Sequence, residues 1–101
     1  MPTLEELRRD IDRVDEVLVR LLNERARCAC EIGRIKKEQH VEVYQPDREK
    51  QVLDHVRNVA VEGPLDPEAI VRLFERIIDE ARRLERRVVH GEAREGLRAE
   101  G

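Results

Sequence analysis

An apolar residue recurs at alternating spacings of three and four through Leu4, Leu7, Ile11, Val14, Leu18 and Leu21. That rhythm marks one face of a helix, and no proline interrupts the pattern between Leu4 and Lys37. Thr3 and Glu6 supply a Thr-x-x-Glu capping box at its start. Gly33 is the one weak point in its helix propensity. A helix of that length spans roughly 50 Å at 1.5 Å per residue. A compact domain of about 100 residues has a radius of gyration of only about 13 Å. The remainder of the chain is too short to wrap such a stripe, so a second chain must cover it. The simplest arrangement is a two-fold homodimer with the long helices side by side.

The segment EQHVEVYQPDRE breaks the rhythm and reads as a loop. Pro46 suits the first turn of a second helix, where its missing N–H costs nothing. This helix is expected to run to about Val61 with Val52, Val56 and Val59 inward, and Gly63-Pro64 stops it. Asp66 caps a third helix that has Pro67 at its first position. Ile70, Leu73, Phe74, Ile77, Ile78, Ala81, Leu84 and Val88 form its apolar stripe. The fold class is therefore all-α, with one long and two shorter helices in a domain of residues 1–90. Residues 91–101 carry no stripe and are expected to form a disordered tail.

Composition narrows the function. Charged residues make up 43% of the chain and the net charge is only −3, so the charges are mixed in sign. A nucleic-acid binder would show a basic face and stacking aromatics, and neither is present. Residues 1–20 lack the apolar core of a secretory signal. No apolar run approaches the roughly 20 residues that span a bilayer. Cys28 and Cys30, two apart on a helix, point to different faces and can neither bridge nor chelate together. Free thiols fit a reducing cytoplasm, and Cys28, on the apolar rhythm, is expected as a small core residue.

The rhythm then meets an anomaly. Its next beats fall on Arg25, Cys28, Ile32 and Ile35, and Lys36 returns to the same face. Lys36 stands eleven residues, or roughly 16 Å, beyond Arg25, and Arg8 lies at the flank. A cation beside a core is costly unless it is paired or meets water. An ion pair or a register-setting role would account for Arg25 alone, and snorkelling would account for Lys36. The other helices carry inward polar groups as well. Gln45, Arg48 and Glu49 share a face with Val52, and Glu85 continues the line of Phe74, Ile78 and Ala81. One internal chamber with more cations than anions explains them together, and it suits a small compound with two or more carboxylates.

These residues resemble a known family. The segments LRRDIDRVDEVLVRLLNERARCACEIGRIK, DRE after the loop, and IVRLFERIIDEARRLE are similar to the all-helical chorismate mutases over about residues 4–88. The resemblance implies an intertwined homodimeric bundle. It also implies conversion of chorismate to prephenate on the shikimate route to Phe and Tyr, without metal or cofactor. By the same resemblance Arg25 would hold a substrate carboxylate, and Arg8 would reach a carboxylate in the partner's site. Lys36 would donate to the ether oxygen of the breaking bond. Arg48 would support carboxylate binding and the electrostatics, and Glu49 would accept from the ring hydroxyl.

Three positions depart from the family's familiar bacterial pattern. Gln45 stands for Asp, Ala81 for Ser, and Glu85 for Gln. A carboxylate at position 85 would repel the ether oxygen, and only its protonated form can donate. The resemblance therefore implies activity that falls as pH rises. Alternatively, Glu85 pairs with Lys36 or a helix arginine. Two other functions remain open at this level: an isochorismate–pyruvate lyase on the same scaffold, and a non-catalytic dimerisation or regulatory module. The chain is expected to be a free-standing cytoplasmic enzyme.

Overall fold

The computed structural model describes residues 1–91. Three helices follow one another, α1 (Leu4–Gln39), α2 (Pro46–Ala60) and α3 (Pro67–Val89). No strand occurs among the described residues. The capping box is formed: the Thr3 amide donates to Glu6 Oε1 at 2.8 Å and the Glu6 amide to Thr3 Oγ1 at 3.1 Å. From there α1 runs for 36 residues, about 54 Å. His40 ends it in the left-handed region (φ 57°, ψ 41°), with Lys36 and Lys37 in the last turn where the helix dipole favours cations. The Val41 amide then donates to the Lys36 carbonyl at 2.9 Å, which turns the chain back at that point.

Pro46 and Pro67 occupy the starts of α2 and α3 as expected, and Asp66 Oδ1 accepts from the Glu68 amide at 3.1 Å. Val61 caps α2 and is not part of it. Arg57 donates through Nε to Glu68 Oε2 at 2.8 Å, tying the end of α2 to the start of α3.

α3 packs against both other helices. It does not cover the stripe of α1. It covers the side that carries Ala29, Cys30 and Gly33, which are buried together with Val71, Ile78 and Val88. Small residues there let the two backbones approach closely. A methyl placed on Gly33 would lie 3.1 Å from Glu85 Cα and 3.1 Å from Val88 Cβ.

This choice of face corrects the expectation for Cys28. Cys28 lies on the stripe and is exposed, whereas Cys30 is buried under α3. Val59 and Leu73, also expected inward, are exposed on sides of α2 and α3 that no other helix reaches. Val71 is buried although it stands off the expected stripe. Beyond Gly91, the tail lies outside the described residues.

The result is a single open layer of helices, 56 × 35 × 14 Å, with a radius of gyration of 16.7 Å. Leu4, Leu7, Ile11, Val14, Leu18 and Leu21 remain between 46% and 63% exposed. Burial of such side chains is the main source of fold stability, and this chain alone leaves them in water.

The packing at Gly33 makes a prediction. Alanine there would gain about 1 kcal/mol of helix propensity but would collide with the α3 backbone. Gly33→Ala is expected to destabilise the fold by about 1–2 kcal/mol net in urea denaturation. A variant as stable as the wild type, or more so, would contradict the close approach.

Candidate active site

The three helices and the α1–α2 loop line an open-sided cavity of about 570 Å³, within the range of small-molecule sites. The turn at His40 folds the loop back over the C-terminal third of α1, and α3 forms the opposite wall. Ile32, Ile35, Val52 and Ile78 give it apolar sides. Seven of the eight site residues expected from sequence line it: Arg25, Lys36, Gln45, Arg48, Glu49, Ala81 and Glu85. Arg8 does not. It is exposed on the first third of α1, about 25 Å along the helix from Arg25.

Lys36 sits at the inner end. Its ammonium donates to the Val43 carbonyl at 2.7 Å and to Glu85 Oε1 at 2.7 Å. The two side chains are only 15% and 13% exposed. The close approach at Gly33 explains this pair, since Gly33 contacts the backbone of Glu85 itself and Lys36 is one turn further along α1. Two of the three ammonium N–H bonds are thus used within the chain, and one remains.

Glu49 is held differently. Arg82 donates to it through Nε at 3.1 Å and Nη2 at 2.9 Å, a two-bond fork. Arg82 also donates through Nη1 to Asp79 at 3.1 Å, and its guanidinium lies 5.3 Å from the centre of the Tyr44 ring. The bond from Glu49 is the main reason the Arg82 guanidinium is held above its ordinary pKa. Sequence reasoning passed over Arg82 and Tyr44. A signal for Arg82 existed, because it stands four residues after Ile78 in the row that begins at Phe74. Nothing in the sequence indicated Tyr44.

Arg25 and Arg48 have no carboxylate partner among the described residues. Arg25 lies over Phe74 at 5.9 Å from the ring centre, and Arg48 makes only a 3.5 Å contact with Gln51. The cavity therefore holds four cations (Arg25, Lys36, Arg48, Arg82) and two carboxylates (Glu49, Glu85). The surplus of two positive charges resides on two guanidiniums free to grip an anion. Gln45 turns its amide away, donating to the Glu42 carbonyl at 3.0 Å. Ala81 adds only a methyl to the wall. Among the described residues, no group of three or more His, Cys, Asp or Glu could hold a metal ion, and no helix is long and apolar enough to cross a membrane.

The Lys36–Glu85 pair predicts strong coupling. In a double-mutant cycle of Lys36→Met and Glu85→Gln, urea denaturation should give an interaction of about 1–3 kcal/mol. A coupling within error of zero would mean that the pair is as weak as a surface contact.

The sequence is similar to those of known proteins. The family model for chorismate mutase type II matches residues 7–86. The bifunctional chorismate mutase/prephenate dehydratase of Aquifex aeolicus is 37% identical over 87% of the chain, and that of Pseudomonas aeruginosa is 41% identical over 81%. The chain spans about a quarter of the length of these two relatives (25% and 24%). The chorismate mutase of Methanocaldococcus jannaschii is 28% identical over 82% of the chain and 84% of its own length. With four-fifths of its residues inside the family model, the chain belongs to the type II chorismate mutase family.

Proposed function

We propose that the chain is a chorismate mutase, converting chorismate to prephenate for aromatic amino acid synthesis in the cytoplasm. The observation that carries the reading is the pair of guanidiniums without carboxylate partners, Arg25 and Arg48, in a cavity with two surplus positive charges. Chorismate is a dicarboxylate, so its charge matches that surplus. A non-catalytic module would have no use for two unpaired cations held over an apolar wall.

The reaction is an intramolecular rearrangement: one C–O bond breaks, one C–C bond forms, and no nucleophile is required. The protein's work is to hold a flexible dianion in a compact, chair-like shape. Negative charge grows on the ether oxygen as the C–O bond breaks. The remaining N–H of Lys36 stabilises that charge more in the transition state than in the ground state. Glu49 receives the ring hydroxyl. Arg8 reaches the site of a second copy, in an intertwined dimer that buries the exposed Leu4-to-Leu21 face. The extent of that uncovered face supports the dimer.

Glu85 competes with the substrate for Lys36, and Arg48, Glu49 and Arg82 line the same cavity. As a carboxylate it occupies one Lys36 N–H and would repel the ether oxygen. A neutral amide at this position would free that N–H and add a second donor toward the ether oxygen.

The test is loss of chorismate absorbance with purified protein at pH 5 and pH 8, run beside isochorismate. Turnover of chorismate is expected. Lys36→Ala should lower kcat more than it raises KM, and Glu85→Gln should retain activity at pH 8. Pyruvate release from isochorismate without chorismate turnover would replace this reading with the lyase. A Glu85→Gln variant without turnover would show that the carboxylate itself is needed, against this role.

A further inference from the structure

Arg82 is the most highly connected side chain in the cavity. Its guanidinium forks onto Glu49 of α2, bonds to Asp79 of α3 and lies over Tyr44 of the loop. Arg82 and Glu49 are 23% and 24% exposed, so the fork is largely shielded from competing water. Among the described residues, no other side-chain bond links the start of α2, which carries Gln45, Arg48 and Glu49, to α3.

The fork also sets an orientation. It uses one bond on each oxygen of the Glu49 carboxylate, at 3.1 and 2.9 Å. Each carboxylate oxygen has about two acceptor sites, so each keeps one. The planar fork fixes the carboxylate plane, and with it the direction of those remaining sites. A lysine at the same place would keep the charge but could not fix the plane.

We propose that Arg82 is a positioning residue for the reaction. By holding Glu49 in a single orientation, it aims the free acceptor sites at the substrate's ring hydroxyl and makes turnover depend on that hydroxyl. The inference rests on the chorismate reading above and extends it to a residue that does not touch the reacting bonds. Arg82 belongs to the recognition of the ring, whereas Lys36 belongs to the breaking C–O bond. Its loss therefore acts mainly on KM.

The experiment compares wild type, Arg82→Met and Arg82→Lys on chorismate and on the analogue with hydrogen in place of the ring hydroxyl. Far-UV circular dichroism and thermal unfolding identify any variant that does not fold. In that event the milder Arg82→Lys carries the comparison. On chorismate, both variants should lose about tenfold or more in kcat/KM, mainly through KM. On the deoxy analogue, wild type and variants should agree within about twofold. A merely structural arginine would lower both substrates equally, and that result overturns the inference while leaving the chorismate reading intact. Full retention of kcat/KM on chorismate by Arg82→Lys would also overturn it, since charge alone would then suffice. If the wild-type chain turns over neither substrate, the inference falls together with the reading on which it rests.

Discussion

The site depends on the close contact of α1 and α3 at Gly33. Without a side chain there, the helices approach until the Gly33 Cα hydrogens face the backbone of Glu85. One turn further on, that separation lets Lys36 meet Glu85 at 2.7 Å and also reach the loop at Val43. A larger residue would widen the gap and separate the two charges. The same contact decides which side of α1 is covered. Because α3 takes the small-residue side, the long stripe of Leu, Ile and Val is left for another surface.

That division gives α1 two tasks along one rod. Its N-terminal part carries exposed apolar side chains and Arg8. Its C-terminal part carries Arg25 and Lys36 into a cavity lined also by the loop and the other two helices. Within the cavity the charges are sorted. Lys36 is balanced by Glu85 and Arg82 by Glu49, both at short range and with little solvent. Arg25 and Arg48 are not balanced, and they hold the surplus that a dicarboxylate would neutralise. Internal pairing matters as much as the open cations. Four unpaired cations at this spacing would repel one another and would favour any anion indiscriminately.

Much of this was legible in the sequence. The three helices followed from a 3.6-residue periodicity, a capping box, two N1 prolines and a Gly-Pro stop, and such local signals survive folding almost unchanged. Arg25 and Glu85 were legible because each breaks the pattern of its own helix: Arg25 falls on a Leu beat and Glu85 continues an apolar line. The side of α1 that α3 would choose was not legible, because Ala29, Cys30 and Gly33 carry little hydrophobic signal. Cys28 was misplaced for that reason. Arg82 was missed although it stands in the row of Phe74 and Ile78, because α3 carries many arginines and that row alone is a weak mark. Its partner Glu49 is 33 positions away and on another helix. The Lys36–Glu85 pair was foreseen as one alternative, since both residues lay on inward faces, but its closeness depends on Gly33.

In the proposed reading, Arg25 and Arg48 stay without carboxylate partners because a dicarboxylate takes that place. Isothermal titration with a rigid cyclic dicarboxylate shaped like the compact transition state, and with its monomethyl esters, tests this directly. Esterifying either carboxylate is expected to weaken binding at least about tenfold, and Arg25→Ala to remove most of the difference for one of the two esters. Equal affinity for the diacid and both monoesters would contradict it.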